Sequence, residues 1–311
     1  MNNRKLLYIL LALGLVFLVT QLFNQKKERS FKSELVSLDT GTISIIVLHP
    51  QADGHKEILL DKEGAHWTAR QGSLKVPVAP GSLNGLLNEL VSIKVKAIAT
   101  RSKDRWTEYE IGDSTGSRVE VYSGSKKLAD FYSGKFGFNP QGNSMISYLR
   151  SAGEEEVYAI DGFQSMTFNT SFSNFRDKTL LEIEVEQVTG IRTDFQGLIH
   201  SLIKDSSKWV LDDRQGPDSA GVANYLNSIQ RLNGTSFMDG FSPSGPPSYG
   251  LEIKTGASTV SLKVYPYPDS LKPFIIHSTA NPDAYFHEDS TGVFNTLIGG
   301  WNDLIRNPVT K

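Results

Sequence analysis

The chain has 311 residues, 32 Lys and Arg against 34 Asp and Glu, a formal net charge of −2, and no cysteine. That balance matches neither a basic nucleic-acid binder nor a polyanion mimic, so nucleic acid is not an expected partner. The absence of Cys removes disulfides, thiolate metal sites and Cys nucleophiles together, and suits an extracytoplasmic compartment.

From the N-terminus, residues 1–5 form a short tail ending in Arg4 and Lys5. Apolar sequence begins at Leu6, runs to Val19 with only Gly14 interrupting, and is extended by Leu22 and Phe23. Roughly 18 residues rising about 1.5 Å each just span a bilayer core of about 30 Å. Residues 19–23 contain no small-x-small cleavage site, so residues 6–23 are expected to be an uncleaved transmembrane anchor and residues 24–38 a polar linker. Basic residues flank the apolar segment on both sides, and their count alone does not fix its orientation.

Strands are predicted over residues 43–47, 57–61 and 66–70, followed by a helix over 82–91 with Leu83, Leu86, Leu87 and Leu90 on one face. Alternating runs at 118–122 and 127–132 read as a hairpin turning through Ser123-Gly124-Ser125-Lys126. Further strands are expected at 148–150 and 157–160, with a helix over 161–168. The pattern then returns with strands at 191–195, 209–212, 260–265 and 274–277, and helices over 219–232 and 291–305.

This return is an internal duplication. Trp67 and Trp209 stand at an offset of 142 (209 − 67), and Pro80-Gly81-Ser82 corresponds to Pro217-Asp218-Ser219. The helix registers match, with Leu83, Leu86, Leu87 and Leu90 opposite Val222, Tyr225, Leu226 and Ile229. Tyr109-Glu110-Ile111 is aligned with Tyr249-Gly250-Leu251, and Phe168-Asn169-Thr170 with Phe294-Asn295-Thr296. The period is too long for a solenoid repeat. The expected architecture is α+β: an N-terminal transmembrane helix followed by two tandem duplicated domains, 39–181 and 182–311, each an antiparallel sheet with packed short helices. Both Trp residues are expected to be core anchors.

The stretch Tyr132-Ser133-Gly134-Lys135, the runs Tyr148-Leu149-Arg150 and Val157-Tyr158-Ala159-Ile160, and above all Phe175-Arg176-Asp177-Lys178-Thr179-Leu180-Leu181 carry a family resemblance. With the two Tyr tripeptides, they make residues 40–305 resemble domain-of-unknown-function family 4340. The resemblance implies a bacterial inner-membrane protein with extracytoplasmic C-terminal domains. It also implies an auxiliary role beside the permease and ATPase subunits of gliding-motility-type ABC exporters. It supplies no catalytic residues and no cofactor.

The residues themselves point the same way. The six His are not spaced as metal ligands, and neither a Gly-x-Ser-x-Gly elbow nor a phosphate-binding Gly-x4-Gly-Lys loop is present, so any ATP hydrolysis belongs to a partner chain. Ser123-Gly124-Ser125-Lys126 and Lys254-Thr255-Gly256 match motifs of penicillin-interacting enzymes by chance, because that chemistry needs the Ser at the start of a buried helix. Arg176 and Asp177 are expected to form an ion pair at the domain junction. Residues 133–144 read as a loop without a counterpart in the second copy, placing Lys135, Phe136 and Phe138 near Tyr132 and Tyr148 as a candidate contact surface. Two functions follow: a non-enzymatic accessory or scaffold component of an exporter, or an extracytoplasmic ligand-binding module for an envelope polymer using those aromatic residues as a platform.

N-terminal sequencing of the mature protein is expected to find residues 6–23 retained; a chain starting near residue 24 would mean a cleaved signal instead.

Overall fold

A computed structural model describes residues 38–139, 143–206, 208–256 and 258–306; the anchor expected at 6–23 and all but the last residue of the linker lie outside them. Among the described residues no helix is long and apolar enough to cross a membrane. The chain divides into two units between Phe175 and Arg176.

The first unit contains β1 (Ile45–His49), β2 (Ile58–Glu63), β3 (His66–Gln71), β4 (Leu74–Pro77), α1 (Ser82–Val91), β5 (Val95–Thr100), β6 (Ser117–Ser123), β7 (Lys126–Asn139), β8 (Ser144–Ser151), β9 (Val157–Asp161) and α2 (Gln164–Phe168). Its strands form one antiparallel nine-stranded sheet in the order β4-β3-β2-β1-β6-β7-β8-β9-β5. Period-two alternation puts Ile46 and Leu48, Ile58 and Leu60, Val119 and Val121, Phe131, Leu149 and Ile160 into one buried cluster. Leu83, Leu86 and Leu90 of α1 close over that cluster, and Phe168 of α2 meets Phe131 edge to face at 5.3 Å. The predicted helix over 82–91 and the two-residue turn between β6 and β7 are both present.

The second unit contains β10 (Thr179–Glu182), β11 (Val188–Phe195), β12 (Leu198–Asp205), β13 (Lys208–Leu211), β14 (Arg214–Gln215), α3 (Ser219–Ile229), β15 (Arg231–Asn233), β16 (Tyr249–Thr255), β17 (Thr259–Pro266), β18 (Phe274–Ser278), β19 (Asn281–Glu288) and α4 (Gly300–Arg306). Its main sheet, β14-β13-β12-β11-β16-β17-β18-β19, repeats the first eight positions of the other sheet strand for strand. Register agrees as well as order: Lys62 pairs with Trp67 and Lys204 with Trp209. Trp209 is buried in the second core, and Trp67 is half-buried against the first. Both units are antiparallel sheets with short helices, an α+β architecture.

Four expectations change. The helix predicted to reach Leu232 stops at Ile229, because Arg231–Asn233 pairs as β15 with β10, whose Leu180 and Leu181 are fully buried. That pairing commits β10 to the second unit, so the division falls at Phe175 and not at 181. Tyr109 ends a 3₁₀ segment, Lys103–Tyr109, ahead of β6, whereas Tyr249 opens β16, so the two tripeptides are not equivalent positions. Phe168 likewise ends α2, while Phe294 precedes the π-helical turn Asn295–Gly299 that leads into α4.

Glu288, at the end of β19, is buried and accepts hydrogen bonds from the Thr235 amide (2.6 Å) and hydroxyl (2.9 Å). Burial pushes its carboxyl above the ordinary glutamate range, with the Thr235 bonds opposing the shift. A carboxyl raised in the folded state binds its proton more tightly there than when unfolded, so stability falls as pH rises between the two values and the cost persists above them. Glu288→Gln is therefore expected to gain stability relative to wild type at pH 7 and to lose that advantage toward pH 4; equal differences at both pH values in chemical denaturation would contradict this.

Candidate functional site

The β7–β8 hairpin holds every candidate contact residue named from the sequence, and its geometry separates them. Residues 133–139 continue β7, and pairing extends to Asn139 opposite Ser144, so most of the expected loop is strand. Along it the register changes: Ser133 pairs with Leu149, but Phe136 pairs with Ser147. Three steps on β7 against two on β8 constitute a β-bulge, and one extra residue sends the following side chains to the opposite face.

Before the bulge, Tyr132 and Arg150 are cross-strand partners, with Tyr148 two residues along β8 on the same face, away from α1 and α2. Arg150 is only 1% exposed. Its guanidinium carbon lies 3.8 Å from the Trp106 ring centroid and 4.3 Å from that of Tyr132. Its N–H groups donate to the Ile111 carbonyl (3.2 Å), the Glu154 carbonyl (3.2 Å) and Asp113 (2.5 Å). A planar, weakly hydrated cation within cation–π distance of two rings and hydrogen-bonded through its N–H groups suits a buried position. Tyr148 meets Tyr109 at 4.7 Å, and burial raises its phenol above the usual range. Tyr132 and Tyr148 thus belong to a small second core with Trp106, Ile111 and Val157. A Cβ at Gly134 would overlap the Tyr109 carbonyl oxygen, so the absence of a side chain lets the Lys103–Tyr109 segment, which covers this small core with Trp106 and Tyr109, cross the strand.

Past the bulge, Phe136 shares its face with Ser147, and Phe138 shares its face with Met145. This is the face carrying α2: the Ser165 amide donates to Ser147 Oγ (3.0 Å), and Ser133 Oγ bonds Ser165 Oγ (3.0 Å). Phe136 and Met166 line an open groove of about 470 Å³, shared with Gln51, Glu110, Lys135 and Asn169. Phe136 is 45% exposed, Phe138 58%, Phe163 52% and Met166 51%. Sequence reading missed Phe163 and Met166. Their spacing of three places them on one side of α2 and its preceding residue, but their exposure depends on where the hairpin packs.

Arg176 does not pair with Asp177. It is buried in the second unit, forks onto Asp239 at 2.9 and 2.7 Å, and stacks 3.5 Å from the Phe237 centroid. Asp177 instead accepts from the Thr179 amide at 2.8 Å, a local turn bond through one carboxylate oxygen. Ser123 and Lys126 are the closing pair of the β6–β7 hairpin. Among the described residues no group of His, Asp or Glu is arranged to hold a metal ion.

Two tandem α+β units of shared strand order define the class of protein. Residues 67–253 match the family described as Domain of unknown function (DUF4340), and the chain belongs to that family. The match runs from Trp67 in β3 to Ile253 in β16 and includes Arg150, the bulge and α2. Comparison with curated proteins and with solved structures gave no match.

Arg150→Ala is expected to destabilise the protein by about 3 kcal/mol or more, since two carbonyls lose a donor at about 1–3 kcal/mol each and two rings lose their stacking partner. Gly134→Ala should cost about 1–3 kcal/mol by overpacking. Denaturation midpoints within error of wild type for both would show that the covering segment does not depend on these contacts.

Proposed function

We propose that this chain is a non-enzymatic accessory or scaffold component of a bacterial ABC-type, gliding-motility-like export system. In this reading residues 6–23 anchor it in the inner membrane, the two units lie outside the cytoplasm, and the exporter's permease and ATPase are its partners. The exporter context comes from the family resemblance. The observation that carries the scaffold reading is how the side chains of the first unit are used. Its buried guanidinium, Arg150, is spent on aromatic stacking and backbone carbonyls, while four large apolar side chains gather uncovered at the end bearing α2. Uncovered apolar side chains gathered at one end favour protein contact over chemistry on a small substrate. The alternative, an envelope-polymer module, needs Tyr132, Phe136, Phe138 and Tyr148 on one platform. The bulge puts the two Tyr and the two Phe on opposite faces of the sheet, so the scaffold reading is preferred.

The full-length tagged chain is expected to co-purify with the permease and ATPase of an ABC exporter from the same cell. A reporter fused after Lys311 should be active only outside the cytoplasm; activity only inside would reject the placement, and failure to co-purify would reject the partnership.

A further inference from the structure

We infer that the apolar end of the first unit is a docking site for a polypeptide segment of the exporter's membrane subunit, the segment's apolar side chains seating against Phe136, Phe138, Phe163 and Met166. The identity of the partner rests on the proposed function; the chemistry of the site rests on its own geometry.

Five large hydrophobic residues of the first unit are markedly exposed among those described, and four of them are these; Val91 is the other. They form one surface. Phe136 and Met166 line the same groove, Phe138 follows on the Phe136 face, and Phe163 lies three residues before Met166. The seat is also held in place. Ser133, Ser147 and Ser165 fasten α2 to the hairpin by hydrogen bonds of 3.0 Å, and Asn169 Oδ1 at the groove's polar end accepts from the Ala52 amide (2.8 Å) and Ser117 Oγ (2.9 Å). A partner therefore meets a surface that needs little ordering.

Charge and placement select the class of partner. Lys135 and Glu110 both line the groove, so it carries one cation and one anion, with Gln51 and Asn169 as neutral polar groups. An anionic membrane surface or a phosphate-bearing polymer draws on clustered Lys and Arg, which this groove does not have. A polypeptide segment, with apolar side chains and balanced backbone donors and acceptors, fits it.

The chain enters the first unit at the other end of the sheet. The Ser44 amide just before β1 donates to the Tyr122 carbonyl (2.9 Å), and Ser44 Oγ accepts from the Gly124 amide (2.7 Å), beside the start of β7. Phe138 lies twelve residues along β7 from Lys126 (138 − 126), about 40 Å at about 3.3 Å per residue. Residues 24–37 reach at most about 46–50 Å when fully extended. Laying the apolar end on the bilayer that holds the anchor would use nearly all of that length. A protein that stands out from the membrane meets it without doing so.

The test uses the full-length chain in native membranes, with the photo-crosslinking residue p-benzoylphenylalanine at position 138 and, as a control, at position 271, where Leu271 is also highly exposed in the second unit. Crosslinking from 138 to the permease, absent from 271, is expected. The double variant Phe136→Ser, Met166→Ser should lower permease co-purification at least about tenfold with an unchanged denaturation midpoint. Crosslinks from 138 only to phospholipid, only to a second copy of the chain, or to nothing would overturn the docking site. If wild type still co-purifies with the permease in that case, the scaffold reading stands and only this surface is wrong; if wild type does not co-purify, the scaffold reading itself has failed.

Discussion

The buried guanidinium of Arg150 is the contact on which the outer side of the first unit depends. A sheet packed by helices on one face usually leaves the other face polar, and here part of that face is apolar and needs a cover. The Lys103–Tyr109 segment provides it, held where the Arg150 guanidinium meets the Trp106 and Tyr132 rings and donates to the Ile111 and Glu154 carbonyls. Holding the segment so close leaves no room for a side chain at Gly134. Immediately past that glycine the strand bulges, and the bulge turns Phe136 and Phe138 toward α2. The exposed apolar end thus follows from packing on the opposite face.

The second unit covers the corresponding region without an arginine. Pairing aligns Leu262 and Ser278 with Phe131 and Ser151, which puts His277 at the position of Arg150. The His277 ring lies 4.7 Å from that of Tyr285, and its Nε2 is 3.0 Å from the Pro282 carbonyl oxygen. Phe241 supplies the cover, meeting Tyr265, Tyr267 and Tyr285 at 5.9, 6.3 and 5.2 Å. Ring-on-ring packing needs no buried charge and no close crossing of the strand. The β17–β18 register, continuous from Leu262 to Pro266 with no bulge, agrees with that simpler cover.

What could be read from the sequence was what short-range periodicity determines. Leu83, Leu86 and Leu90 define α1 through a helical period, and Trp67 and Trp209 mark equivalent strands because each stands one residue past the last pair of its hairpin, Glu63 with His66 and Asp205 with Lys208. What could not be read depends on partners distant in the chain. Leu232 continues the helical spacing from Ile229, yet pairing with β10 outweighs the local pattern. Tyr109-Glu110-Ile111 and Tyr249-Gly250-Leu251 look alike, but position in a sheet is set by pairing, and that matches Val121 with Ile253 through Ile46 and Ile191. The five candidate contact residues looked like one cluster because sequence distance does not reveal a bulge. Arg176 and Asp177, though adjacent, take separate partners: the buried guanidinium finds a fork of acceptors in Asp239, and Asp177 turns one oxygen to the Thr179 amide.

Duplication makes the β7–β8 hairpin the informative departure. Two units sharing strand order and register show what the fold requires, and β17 with β18 shows that the fold closes with shorter strands. The additional length of β7 is therefore not needed to complete a core. It carries Phe136 and Phe138 into solvent, which on a flat edge would invite unspecific strand pairing. The bulge twists the hairpin, Lys135 places a charge at the turning point, and α2 is tied against the exposed side through Ser147 and Ser165. Those devices limit sheet-to-sheet association while leaving the Phe side chains accessible, a combination suited to side-chain recognition by a shaped partner and poorly suited to strand addition.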